Sequence, residues 1–233
     1  MPHLKLIKMK ILYTVLLISM MSMSVSAQTS KEEAIAIEKK IIAKAKRIGD
    51  PAVASYSMYK LIALEGENST YKDSLTFMYY SARKYGSCFM MASEVLKRDP
   101  KNQAMMELTA SSLESLGALD KAMESYKELF VLTNNNYHGY NLSKLQLSMN
   151  KFDEAYTTIK KVEGLNDTGK VQVNFSINQT HTQQIELIAA IPYLKGLIEE
   201  ELKKNDEAKL SYQKALKIQP EFVLAKEKLD KLN

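Results

Sequence analysis

Tryptophan is absent, cysteine occurs once, and eight glycines and five prolines are all that punctuate 233 residues. Each shortage excludes something. One cysteine, Cys88, rules out a disulfide within the chain, so packing alone must hold the fold. Its position in a helical pattern marks it as a buried thiol rather than a nucleophile. With few turn residues, long stretches of Ala, Leu, Lys, Glu and Met favour helix over sheet. The three histidines, His3, His138 and His181, are not spaced with Cys or carboxylates as metal ligands. The phosphate-loop pattern G-x-x-x-x-G-K, the elbow G-x-S-x-G and the metalloprotease pattern H-E-x-x-H are all missing. No catalytic residue, metal or cofactor is therefore expected, and an enzyme is the remotest reading. The run Glu199-Glu200-Glu201 is a solvated face, answered at helical spacing by Lys203 and Lys204.

No apolar run reaches the roughly 20 residues of a membrane-spanning helix. The longest, Ile11 to Met21, is preceded by Lys5, Lys8 and Lys10 and followed by the small residues Val25-Ser26-Ala27. That order is the layout of a secretory signal peptide over residues 1–27, with cleavage expected after Ala27. The alternative is an uncleaved N-terminal anchor. Cleavage leaves residues 28–233 without an integral membrane span, and the loss of three lysines lowers the formal charge from +5 to +2. Nucleic acid loses its electrostatic attraction. Five N-x-S/T sequences, at Asn68, Asn141, Asn166, Asn174 and Asn178, would carry glycans only in a eukaryotic secretory route.

What is present is a repeat. Small residues stand at Ala54, Cys88, Ala122, Ala155 and Ala208, separated by 34, 34, 33 and 53 residues. Four places on come Met58, Ala92, Tyr126, Ile159 and Tyr212, and three further Leu61, Val95, Leu129, Val162 and Ala215. Each unit closes on a helix breaker or turn former: Gly66, Pro100, Asn134, Asp167 and Pro220. The units run 35–68, 69–102, 103–135, 136–169 and 189–222. The spacing predicts two helices per unit, with the small residue at their closest crossing and the large ones filling the space to the next unit. Turns within the hairpins are expected at Ile48-Gly49-Asp50-Pro51, Lys84-Tyr85-Gly86, Leu116-Gly117-Ala118, Met149-Asn150-Lys151 and Lys204-Asn205-Asp206. Residues 223–233 read as an amphipathic capping helix.

The last unit carries the fullest pattern: Gly196, Ala208, Tyr212, Ala215 and Pro220 at the small, small, aromatic, small, proline spacing. It resembles the tetratricopeptide repeat (TPR) family. Ile42, Thr76, Ala110 and Ser143 stand where the family prefers glycine. The resemblance implies an all-α solenoid of about five helical hairpins, whose first helices line a concave groove that takes a peptide or a partner helix. In this register the groove would present Asp73, Phe77, Tyr80, Glu107, Ser111, Glu114, Tyr137, Tyr140, Asn141, Lys144, Tyr193, Leu197 and Glu200. Only Asn141 and Lys144 resemble the family's carboxylate clamp, so a basic or neutral ligand suits the lining. The same tyrosines and glutamates could equally be ordinary helix surface or core.

The 53-residue step leaves 170–188 outside the repeat. Val171, Val173, Phe175 and Ile177 alternate with Gln172, Asn174 and Ser176, the period of a half-buried strand, and Ile185-Glu186-Leu187-Ile188 could return as a second. A β-hairpin insert is expected, with Pro192 in the first turn of the helix after it. Its apolar face either packs on a neighbouring helix or offers an edge to a partner strand. Signal and resemblance together imply an exported scaffold or adaptor that binds protein or peptide, in a Gram-negative periplasm. An accessory subunit of an outer-membrane uptake or assembly complex is the alternative. Oligomeric state is not legible.

Overall fold

The structure, a computed structural model, describes residues 30–165 and 171–232. The expected export segment 1–27 and the start of the insert at residue 170, with Asn166 and Asp167, lie outside the described residues. No helix among the described residues is long and apolar enough to cross a membrane. Two compact units divide between Ala82 and Arg83.

The first unit contains α1 (30–48), α2 (Pro51–Glu65) and α3 (Tyr71–Ser81). In α1 the buried residues Glu38, Ile42 and Ala45 recur at four and three, one stripe of a helix. Asp50 caps α2 by accepting from the amides of Ala52 and Val53 at 3.1 and 3.0 Å, and Pro51 opens the helix where a missing amide costs least. Glu38 is buried, and hydrogen bonds from Lys60 and then Ser57 hold its carboxyl below the ordinary carboxylate range.

The second unit is a succession of antiparallel helices: α4 (Tyr85–Arg98), α5 (Gln103–Ser115), α6 (Leu119–Thr133), α7 (Asn136–Ser148) and α8 (Phe152–Glu163). After β1 (Gln172–Ser176) and β2 (Thr182–Glu186) follow α9 (Leu187–Glu201), α10 (Asn205–Ile218) and α11 (Val223–Lys231). Each helix packs on the next, and α7 also touches α9, so the first helices of the last two hairpins lie side by side. All fifteen repeat-register positions, from Ala54 to Ala215, are no more than 2 % exposed. The periodicity read from the sequence is the core.

Glycine marks the tightest approaches. A Cβ on Gly196 would stand 2.5–2.9 Å from the Tyr212 ring. In the fourth hairpin the closest crossing falls one turn earlier than the register position Ser143. There a Cβ on Gly139 would meet Val162 at 2.4 Å and Phe130 at 2.7 Å.

Three of the expected turns, at Gly49, Gly117 and Asn150, stand where the sequence places them, and at the other two the left-handed residue falls one position early. Gly49, Gly117, Asn150 and Lys203 take left-handed φ of 72°, 75°, 58° and 62°, and Arg83 takes 55°. The following amide reaches back across the helix end: Asp50 to Ala45, Ala118 to Leu113, Lys151 to Gln146 and Lys204 to Glu199, at 2.8–2.9 Å. This is the Schellman closure, which needs a left-handed residue. In the fifth hairpin the closure uses Lys203, not the expected 204–206, and Arg83 takes the left-handed conformation just before the expected 84–86. Gly86 and Asn205 already lie within α4 and α10. A non-glycine residue such as Lys203 costs roughly 1–2 kcal/mol there, and the packing of α10 on α9 imposes it.

The insert forms the expected hairpin, with β1 antiparallel to β2 in the register Val173↔Ile185 and Phe175↔Gln183. The second strand starts earlier than expected, at Thr182, and Leu187 already begins α9. Pro192 is therefore the sixth residue of α9 rather than part of its first turn, and it removes one bond from the helix interior. The outer edge of β2 is closed by a side chain. Gln219 Oε1 accepts from Glu186 N at 3.0 Å and its Nε2 donates to Gln184 O at 3.2 Å, so one carboxamide stands in for a neighbouring strand. Gln183 ties the same strand to the α10–α11 turn, donating to Glu221 O at 2.6 Å and accepting from Val223 N at 3.1 Å.

Candidate functional site

A cavity of about 260 Å³ opens between α7 and α9. It is lined by Tyr140, Lys144, Leu147 and Ser148 from the first, and by Tyr193, Leu194 and Leu197 from the second. Phe175 of β1 forms its remaining wall. A second cavity of about 260 Å³ shares Leu147, Ser148 and Leu197 and extends past Asn150, Phe152 and Glu201 to Lys228. Together they make an elongated trough with an almost wholly apolar end under the hairpin.

The wall is fixed by aromatic packing. Phe175 meets Tyr193 edge-on at 5.4 Å between centroids and Phe222 at 5.0 Å, and Tyr193 meets Phe222 at 4.7 Å and Tyr212 at 5.8 Å. Such pairs are worth about 0.5–1.5 kcal/mol each beyond their area. Phe222 is fully buried, so the start of the capping helix anchors the insert.

Ion pairs border the trough. Lys144 Nζ lies 3.1 Å from Glu114, whose other oxygen accepts from the Tyr126 hydroxyl at 3.1 Å, and Ser111 is 3.1 Å from that same hydroxyl. Glu200 accepts from Tyr212 at 2.5 Å and from Lys228 at 2.8 Å, and Glu199 is buried and accepts from Ser211 at 2.6 Å, so only part of the acidic run 199–201 is the solvated face expected. The lysines are thus already neutralised, and the border offers paired charges rather than an anion clamp. Tyr140 and Tyr193, 3 % and 6 % exposed, make no hydroxyl hydrogen bond among the described residues.

Burial raises the phenols of Tyr126, Tyr140, Tyr193 and Tyr212 above the ordinary range. Tyr193 is pushed up to about 12, first by burial and then by the carboxylates of Glu200 and Glu227. The folded state therefore holds these protons more tightly than the unfolded chain. Stability linked to them is complete below the free phenol value of about 10 and is lost as pH rises through the folded values. In an absorbance titration at 295 nm these four stay protonated past about pH 11, until helical circular dichroism collapses. Ionisation of every phenol near the free value with the helices intact would contradict the burial.

The other groove positions are dispersed. Tyr137 is half-buried beside the His138 ring at 6.0 Å, and Glu107 lies 3.7 Å from His138. Asn141 is buried. Asp73, Phe77 and Tyr80 stand on α3 in the first unit, with Phe77 half exposed. Of the insert face, Val171, Val173 and Phe175 pack against the core, and Ile177 is half-buried at the hairpin end. Leu147, Ser148 and Leu194 were not singled out in the sequence. Leu147 continues Tyr140 and Lys144 at helical spacing, a signal that was present. No sequence pattern joins Phe175 to this wall. Cys88 is fully buried, and burial pushes its thiol up. Among the described residues no three His, Cys, Asp or Glu are grouped to hold a metal ion.

The tetratricopeptide repeat family model matches residues 191–222, which span most of α9, all of α10 and the turn after it. No curated protein matches the sequence. Among solved structures, a tetratricopeptide repeat protein from Parabacteroides merdae ATCC 43184 is similar over 88 % of this chain and 72 % of its own, at 18 % identity and a TM-score of 0.64. YrrB, a TPR protein with an unusual peptide-binding site, is similar over 80 % of this chain and 87 % of its own, at 16 % identity and a TM-score of 0.62. MamA is similar over 70 % of this chain and 79 % of its own, at 18 % identity and a TM-score of 0.57. With the register buried as described, residues 191–222 are a tetratricopeptide repeat and the chain has the fold of the TPR proteins.

Proposed function

We propose that this chain is an exported interaction scaffold that holds a segment of a partner protein in the trough between α7 and α9. The observation that carries the reading is the trough itself, an elongated apolar surface built from first helices and walled by an insert outside the repeat. Its tyrosines suit recognition, offering large contact area with few rotatable bonds. The peptide-binding site of YrrB supports such a use of the fold. Export rests on Lys5, Lys8 and Lys10, the apolar run after them and Val25-Ser26-Ala27, with the periplasm as the proposed compartment.

The test uses peptides selected from a displayed random 12-residue library on the full chain and titrated by fluorescence anisotropy. Leu197→Glu, at the point shared by both cavities, weakens them at least tenfold, about 1.4 kcal/mol or more. Leu210→Glu, on the exposed side of α10, leaves affinity and melting unchanged. Equal affinity for wild type and Leu197→Glu would place binding elsewhere.

A further inference from the structure

The two edges of the insert are treated differently. Val171 O accepts from Leu187 N at 2.8 Å and Ile177 N donates to His181 O at 2.9 Å, so the odd residues of β1 turn their main-chain groups toward β2. Gln172, Asn174 and Ser176 turn theirs away. Gln219 closes the equivalent edge of β2, whereas among the described residues nothing caps the edge of β1. Open edges are usually defended by charge or proline. Here residues 171–185 contain no Lys, Arg, Asp, Glu or Pro, in a chain that is 25 % charged. Phe175, the only residue of the hairpin that lines the trough, belongs to β1. The apolar end it walls is lined also by Tyr140 and Tyr193.

We infer that the partner is captured by strand addition: an extended, uncharged segment of another protein pairs with the outer edge of β1 and turns an apolar side chain into the trough. This deepens the trough reading and rests on it. Main-chain pairing supplies affinity and the trough reads alternate side chains. A second copy of this chain is a poorer occupant, since two five-residue strands fall short of the roughly 800 Å² per partner of a stable interface.

Asn174→Pro removes an outward amide while leaving the bonds to β2 in place, because proline is tolerated where the amide faces away from the ladder. The probes are the selected 12-residue peptides, made also with alternate main-chain nitrogens methylated. The expected result is at least a tenfold loss of affinity in Asn174→Pro with unchanged melting, and the same loss from methylation at one parity of the peptide but not the other. Should Asn174→Pro disturb the hairpin, the parity experiment on wild-type protein still decides. Indifference to both changes, with the Leu197→Glu loss retained, overturns strand addition and leaves the trough. Indifference to Leu197→Glu as well overturns both. Enrichment of no peptide, or dimerisation of the wild type that Asn174→Pro abolishes, also overturns the inference.

Discussion

Replacing Phe222 by alanine lowers the unfolding free energy by about 3–5 kcal/mol, the range for removing a buried aromatic ring. The residue is fully buried, and its ring contacts both Phe175 of the insert and Tyr193 of α9. Its loss leaves a cavity and also frees the hairpin from the start of α11, so the melting temperature falls by roughly 10 °C. Urea unfolding measures the effect. The exposed Leu210→Ala serves as reference and shifts stability by less than about 0.5 kcal/mol. A loss below about 1 kcal/mol for Phe222→Ala would mean that the aromatic cluster does not bind cap, insert and α9 together.

Gly196→Ala destabilises by about 1–3 kcal/mol, against the helix preference for alanine, which alone would stabilise by about 1 kcal/mol. The added Cβ stands 2.5 Å from the Tyr212 ring, and that ring is held by its hydroxyl on Glu200 and by burial on every side. It cannot swing aside as a surface side chain would. Combining the change with Tyr212→Leu tests the cause, because the clash disappears with the ring. A double-mutant cycle gives a coupling of about 1 kcal/mol or more. Additive effects would show that Gly196 is set by something other than this crossing.

Much of the fold is legible because burial at a helix crossing is periodic. Ala54, Cys88, Ala122, Ala155 and Ala208 share one register, and all are buried. The alternation from Val171 to Ile177 is visible for the same reason, since a strand with one packed face must alternate. What escapes the sequence depends on partners far away in the chain. Lys203 adopts a left-handed conformation because α10 packs back on α9, although its side chain gives no such preference. Gly139 can be seen as a glycine, but its role follows from Phe130 and Val162. Gln219 seals β2 from 33 residues away, and no local pattern announces that. The site divides likewise: Tyr140, Lys144, Tyr193 and Leu197 follow from helix register, whereas Phe175 joins them only through the packing of the insert.

Hydrogen exchange of the full chain with and without a selected peptide tests the binding site most directly. Exchange is expected to slow in α7, in β1 and in the middle of α9, with α10 and the first unit unchanged. Protection confined to α10, α11 or the first unit, with α7, β1 and α9 exchanging as in the free protein, would contradict it.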